Sequence, residues 1–576
     1  MGWGHVGVGP RFFRQEKVVV TSVLVGKYTR LQNADRIGAV ACASFCVTFV
    51  CVYVAYYLRL SYFLYDHYGM SAFDLGIFDQ AVWLISRGRA PWVTLRGLHI
   101  LADHSSLILY LIAPLYRLWS SPKLLLLLQT LALAGGALPV YGLGVHYTKS
   151  AIFGLVMACL YLLFPTIQWT NAYQFHPDAF APVLFLGALW MYEKQNYGGY
   201  FSLLLLASLT KETTGAIIFV VGCLLCFKNL RVGLATCLLG GLVEWTMLNI
   251  IKHFNGGYPS AYYLLYASYG QSAVAIIKTL LLHPLYIVKA LFGHTGLLYL
   301  WHLLGIFGFL PLFAPEWLFV AVPGILFVVL VEPTHVEVAA GYHSLYAVPF
   351  VVMAALVGGK RIWLHLPQWW ARTEIGLFCL FWGIGFSFLY SPLNPRFFSI
   401  RVFDILDDNG VHEIDQMLSI IPPHAVVSAQ SALTTHLSHR AFIYNFPMPF
   451  CRQGWGGTPQ ALRHILDQTP PSPQVFKTIS QAYANLRVDY IALCPMLSSF
   501  PVMAPYCDRF ILILLHCRRY GIIEIGCDGI LLQRGADYAA GLRKLSSLSG
   551  VPIRCESDID RAYMTWRERQ VAIDVP

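Results

Sequence analysis

Long apolar runs separated by brief polar punctuation fill the first two thirds of the chain, and an alternating pattern replaces them in the last third. The first run, 37–60, is long enough to span a bilayer as a helix. A basic leader, 1–36, precedes it with Arg11, Arg14, Lys17, Lys27, Arg30 and Arg36 and without a small-residue cleavage site, so the helix is expected to be retained with its N-terminus in the cytoplasm. The segment 61–104 is too polar to span and carries Trp83 and Trp92, which predicts short interfacial helices in a first extracytoplasmic loop. Twelve further spans are predicted at 105–119, 123–134, 137–147, 151–165, 179–193, 198–210, 213–228, 232–251, 295–313, 316–331, 344–358 and 374–390, with a chain reversal at Gly135-Gly136. Several hold only about 15 residues, about 22 Å at 1.5 Å per residue, against roughly 30 Å of hydrocarbon. Helices that short must pair within the protein or line a wet cavity, because lipid offers no partner to a free backbone amide.

Beyond Ser391 the pattern changes period. The stretches 425–431, 441–446, 490–494, 521–525 and 530–534 read as strands, with helices at 460–466 and 474–486 between them and a hairpin turn at Gly526-Cys527-Asp528-Gly529. The expectation is a polytopic α-helical membrane protein with about 13 transmembrane helices, followed by an α/β domain at 391–576. Thirteen spans starting inside place Arg117/Lys123, Lys149, Lys194, Lys228/Arg231 and Lys360/Arg361/Arg372 in the cytoplasm and the tail outside, in a plasma (inner) membrane.

Composition agrees with the pattern: 12% of the 576 residues are charged, against roughly 25% in ordinary soluble domains. The net charge of +10 raises nucleic acid as a partner, but its distribution argues for none. From Ser391 onward there are 17 Lys/Arg and 16 Asp/Glu, so the excess sits in the membrane half, where cytoplasmic loops need it. Eight of the 14 cysteines lie in apolar runs and act as small hydrophobes; Cys451, Cys494, Cys507, Cys517, Cys527 and Cys555 lie in the tail, free to pair in an oxidising compartment.

On this topology the ionisable groups collect outside. The first loop supplies Asp74, Asp79, Arg87, Arg89, Arg96, His99, Asp103 and His104. Later loops supply His176 and Asp178, Lys211-Glu212, and His335, Glu337 and His343. Charges at membrane depth are costly and mark functional candidates, while loops that reach water carry them freely. If 71–86 is one helix, Asp74 and Asp79 diverge by roughly 140°, which disfavours a carboxylate pair on one bond and fits a single base beside cations that hold a leaving phosphate. His99 and Asp103, four apart, can share a helical face and, with His104 or His176, suggest a divalent cation, as do His436 and His439, three apart in the tail; hydrogen-bonded histidines are the plainer reading of both.

The stretch Asp74-Leu75-Gly76-Ile77-Phe78-Asp79-Gln80-Ala81-Val82-Trp83, then Asp103-His104-Ser105, Ala113-Pro114-Leu115-Tyr116, Phe175-His176-Pro177-Asp178, Lys211-Glu212 and His436-Leu437-Ser438-His439-Arg440 resembles an uncharacterised family of bacterial and archaeal multi-pass membrane proteins. That family is similar to the GT-C glycosyltransferases, so 37–390 is expected to form a GT-C-like transmembrane domain with its first loop at 61–104. The resemblance implies a membrane enzyme that moves a sugar, hexosyl or pentosyl, from a polyprenyl-phosphate donor to a glycan, lipid or protein acceptor at the outer face, with inversion. It implies Asp74 as the base and Asp79 as its rival, since Asp79-Gln80-Ala81 resembles the Asp-Glu-Ala of many GT-C members with Gln80 in place of the second acid. Lys211, Arg87 and Arg89 would then hold the lipid phosphate, and His104, His176, Asp178 and Glu212 would order the site; His104, His176 and Asp178 are also the metal candidates. The alternative is a transporter or flippase of a lipid-linked or small polar solute, which broken helices would support.

Overall fold

A computed structural model describes residues 13–270, 272–331, 341–365, 369–394, 405–450, 487–497, 504–516, 518–526 and 528–573. His335, Glu337, the stretches 460–466 and 474–486, and Cys451, Cys517 and Cys527 lie outside them.

Helix α1, Phe13–Asp66, opens the fold and carries the first apolar span, Ile37–Asp66. A π-type turn, Ala72–Gly76, leads into α2, Ile77–Ser86, and a two-stranded ribbon of β1, Trp92–Val93, and β2, Leu98–His99, closes the first loop before the short α3, Ile100–Asp103. Helix α4, Ile108–Ile112, continues as a 3-10 turn to Arg117. It does not cross the bundle. Arg117 Nε donates to the Ser86 carbonyl at 3.2 Å, and Lys123 Nζ lies 2.7 Å from Asp66 at the end of α1. Arg117 and Lys123 therefore stay on the face of the first loop, contrary to the span expected at 105–119.

Helices α5, Pro122–Gly135, and α6, Ala137–Thr148, form one 27-residue apolar span. The reversal expected at Gly135-Gly136 is absent: the chain stays helical through both, and Gly136 serves packing instead. A Cβ on Gly136 would collide with the Tyr161 hydroxyl, which donates to the Leu133 carbonyl at 2.8 Å. One crossing takes the place of the three expected over 105–147.

The bundle continues with α7, Ala151–Leu162, and α8, Pro165–Ala172, bent by 44° at Pro165, then α9, Ala181–Glu193, α10, Tyr197–Ser208, α11, Thr214–Cys226, and α12, Leu230–Phe254. Between 252 and 294, where no span was expected, α13, Ala273–Leu282, and α14, Leu285–Phe292, meet at 88° around Pro284. Then come α15, His294–Gly305, α16, Pro315–Val329, α17, Val348–His365, and α18, Trp369–Tyr390. Among the described residues four helices are long and apolar enough to cross a membrane, and six if each bent pair is one span; the shorter ones fill in around them.

The basic ends gather away from Asp74. Lys360 lies over the Tyr147 ring, Tyr147 donates to Glu193, Lys228 lies over Trp317, and Arg361 pairs with Glu316. These contacts tie the loops near 147, 193, 228, 316 and 360 into one end of the bundle.

In the tail, α19, Asp408–Ser419, precedes β3, Val427–Ala429, α20, Ser431–Leu437, β4, Ile443–Asn445, and β5, Tyr490–Leu493. Then come α21, Ala504–His516, β6, Tyr520–Ile525, β7, Ile530–Arg534, α22, Tyr538–Ser549, and α23, Glu556–Ile573. All five strands lie where the alternation predicted them. They form one mixed sheet in the order β4-β3-β5-β7-β6, parallel across β4-β3-β5 and antiparallel across β5-β7-β6. One face is continuous with the helical core through Val427, Ala429, Leu433 and Leu531, and the other builds its own core from Ile491, Phe510, Ile522, Leu532 and Trp566.

Candidate functional site

Local hydrogen bonding explains where Asp74 sits. The amides of Ser71, Asp74 and Leu75 converge on Gln174 Oε1 at 3.2, 2.8 and 2.9 Å, and Ala72 N–H donates to Ser431 Oγ at 3.3 Å. Gly76 lets α20 close over this turn, since a Cβ there would press on Leu95 and Thr434. Gln174 is held in turn by Gln129, whose Nε2 donates to the Gln174 carbonyl at 3.2 Å while its Oε1 accepts from His176 N–H at 2.9 Å.

His176 faces Asp74 with Nε2 2.7 Å from Oδ2. Its Nδ1 lies 3.1 Å from the Gln174 carbonyl, which only accepts, so Nδ1 is the donor there and Nε2 is the ring nitrogen turned to the carboxylate. Tyr342 stacks on the imidazole with ring centres 3.4 Å apart. Burial pushes the Asp74 carboxyl up, but His176 first, with Lys211 beyond it, holds it below the usual range. Burial, then Lys211, push His343 down to about 3, so it is neutral.

Behind this pair the charges neutralise one another. Lys211 Nζ donates to Asp178 Oδ1 at 3.0 Å; His104 Nδ1 lies 2.8 Å from Glu212 Oε1, and Ser105 N–H donates to Oε2 at 3.2 Å. Burial opposes each charge, yet Asp178 is held low by Lys211, Glu212 by His104, and Lys211 high by Asp178. Tyr262 stacks on His104 at 4.2 Å, and Arg96 grips Asp103 with two hydrogen bonds of 2.9 and 3.0 Å. The structure thus brings Asp74, His176, Asp178, Lys211, Glu212 and His104 into one network.

Asp79 and Gln80 belong to a second cluster. Asp79 is fully buried and accepts from the hydroxyls of Tyr116 (2.6 Å) and Ser438, with His439 Nε2 3.1 Å away. Gln80 Nε2 donates to Thr94 Oγ1 at 2.9 Å and to the Arg440 carbonyl at 3.3 Å, and Thr94 bonds both the amide and the carbonyl of Ile443. The His436–Arg440 stretch is thereby the clasp between α2 and the tail. Arg87 and Arg89 are exposed at the far end of α2, Arg89 over the Trp83 ring. Asp74 and Asp79 do diverge, although through a π turn and α2 rather than one helix.

Among the described residues no three His, Cys, Asp or Glu side chains converge as a metal site. The metal candidates His104, His176 and Asp178 are each engaged by a different partner, Glu212, Asp74 and Lys211. The shared face expected for His99 and Asp103 is also absent, because His99 caps α3 and stacks on Phe254 while Asp103 turns to Arg96. Sequence reasoning overlooked Gln129, Gln174, Tyr262 and Tyr342; a glutamine inside the leucine run of α5 was the available signal for the first.

No curated protein matches this chain. A solved structure, ArnT from Cupriavidus metallidurans bound to undecaprenyl phosphate, is similar over 85% of this chain and 99% of its own, at 12% identity and a TM-score of 0.46. Residues 66–487, which span both the Asp74 network and the clasp to the tail, match the family described as predicted membrane protein (DUF2079), and the chain belongs to that family.

Proposed function

We propose that this protein transfers a sugar from a polyprenyl-phosphate donor to a hydroxyl acceptor at the outer membrane face, with Asp74 as the base. The observation that carries the reading is the exposure of one carboxylate. Asp74 is 24% exposed, whereas its neighbours Asp178 and Glu212 are buried and paired. In the reaction the acceptor oxygen attacks the anomeric carbon as Asp74 takes its proton, and the C–O bond to phosphate breaks with its electron pair leaving on the phosphate. Polyprenyl phosphate is a competent leaving group, so the site needs positive charge there rather than a strong acid. Lys211 suits that role, since Asp178 engages one of its three N–H donors. Arg87 and Arg89 stand a full length of α2 from Asp74, about 15 Å at 1.5 Å per residue, too far to hold the same phosphate. His176 orients the base, and His104 and Glu212 brace the Lys211 turn. The Asp74–Trp83 and Phe175–Asp178 motifs resemble a membrane-protein family that is itself similar to the GT-C transferases, which supports the same reading.

The test compares membranes with and without the protein, supplied with radiolabelled polyprenyl-phosphate sugar. Donor consumption with a covalent product, lost in Asp74→Asn, is expected. Equal turnover by mutant and parent removes Asp74 from the role. Broken helices such as α13 and α14 favour the transporter reading, and solute flux into vesicles without a covalent product would decide for it.

A further inference from the structure

Helix α4 and the 3-10 turn that continues it, Ile108–Arg117, run about 17 Å at 1.5 and 2.0 Å per residue, too short to cross a bilayer. Their outer side is apolar. Leu111, Leu115 and Leu118, spaced as one helical face, are 55%, 38% and 86% exposed, while Ile112, Ala113 and Tyr116 on the opposite side are buried. Chain connectivity sets the depth of this face. The 27-residue span opens at Pro122, and Lys123 pairs with Asp66 where the first span ends, so both spans surface beside the exposed Trp119. That is the level at which interfacial tryptophans and lipid head groups sit.

Three arginines reach the same level without a counter-charge. Arg117 Nε donates to the Ser86 carbonyl at 3.2 Å, which ties the end of α2 to this depth and leaves four of the five guanidinium N–H donors without an acceptor among the described residues. Arg87 follows Ser86, and Arg89 stands over the Trp83 ring. All three arginines are exposed. The carboxylates of the neighbouring elements are occupied, Asp66 by Lys123 and the buried Asp79 by Tyr116, Ser438 and His439. Basic loops orient a membrane protein, but those with Lys228, Lys360 and Arg361 close the opposite end of the bundle, so orientation does not account for these arginines. Guanidinium groups match phosphate oxygens, and a free phosphate would leave the leucine face uncovered, whereas a phospholipid satisfies both. We propose that the α4 turn and the end of α2 together bind the head group of an anionic phospholipid in the leaflet on the first-loop side. The phosphate lies against Arg87, Arg89 and Arg117, and the acyl chains cover the leucines from the bilayer, so no cavity is required. The length of α2 separates this surface from Asp74, and its occupancy does not depend on the sugar-transfer reading.

The test reconstitutes the full chain in vesicles of equal parts phosphatidylglycerol and phosphatidylcholine. A trace of one or the other lipid carries a photoactivatable group on its acyl chain near the glycerol, adducts are mapped by peptide mass spectrometry, and gel filtration checks the fold. The phosphatidylglycerol probe should label 108–121 at least about fivefold more than the phosphatidylcholine probe, the factor for one arginine at a membrane surface. Arg87→Gln with Arg89→Gln, which breaks no hydrogen bond among the described residues, should lower that preference by more than half, and adding Arg117→Gln should bring the two probes level. Arg534→Gln, exposed on the tail sheet, should leave the preference intact. The proposal is overturned if the probes label the parent equally or if the double variant keeps the parent's preference. It is also overturned if glycerol 3-phosphate in solution removes the preference, which marks a free-phosphate site, or if a polyprenyl-phosphate probe labels 108–121 ahead of phosphatidylglycerol.

Discussion

Asp74 and Asp79, five residues apart, receive opposite treatment from their surroundings. Asp74 keeps one side open and a histidine on the other; Asp79 is saturated by Tyr116, Ser438 and His439. Asp74→Asn should therefore abolish transfer while leaving the protein folded, with a cooperative melt in detergent. Asp79→Ala should cost about 2–5 kcal/mol by stranding buried donors, which a thermal melt in detergent would read. The clasp also titrates at both ends. His436 is stacked between Tyr65 and Tyr68 with burial pushing it down to about 4, so its contribution is present above its unfolded value near 6.5 and lost as pH falls toward 4. Burial opposes His439's charge, but Asp79 raises it above 6.5, so that contribution is present at lower pH and lost as pH rises through the raised value. Melts across pH 4 to 9 should fall on both sides, with His436→Phe flattening the acid limb and His439→Gln the alkaline one.

At the level of elements, the tightest helix pair is α11 with α12. Gly215 and Gly222 on one helix and Gly233 and Gly240 on the other each sit against partner backbone so closely that a Cβ would collide with it. Lipid gives helices no hydrophobic reason to associate, so close backbone packing supplies the attraction. Gly222→Leu or Gly233→Leu should cost about 1–3 kcal/mol by overpacking, whereas Gly241→Leu, with open space around its Cβ position, should be neutral in the same melt. This hairpin holds the Lys211-Glu212 turn at its head, so the glycine variants should lower transfer along with stability. The short spans that looked inadequate to cross a bilayer alone are partners of this kind.

Across the whole molecule, the tail is a structural part of the site. Ser431 and Thr434 touch the turn that carries Asp74, Ser438 and His439 hold α2, and Tyr68 at the end of α1 hydrogen-bonds Asp415. Deleting residues 405–576 should make the first loop sensitive to limited proteolysis and abolish transfer, not merely broaden acceptor choice. An intact first loop and residual turnover in the truncated chain would show the tail to be an independent module.

The sequence by itself determined the membrane class, the first span, the five tail strands and the candidate residues of the Asp74 network, because apolar runs, period-two alternation and charges at membrane depth are local signals. The separation of Asp74 from Asp79 was expected from rotation along one helix over 71–86, but it comes from the π-type turn that precedes α2. Tertiary structure alone decided that Gly135-Gly136 lies within a straight span, since the reason is a tyrosine from another helix. It alone decided that His104, His176 and Asp178 take three different partners, and that Asp79 and Gln80 bind the tail. Those outcomes depend on contacts between residues tens to hundreds of positions apart, such as Asp74 with His176 and Asp79 with His439, and no pattern along the chain encodes a partner at that separation.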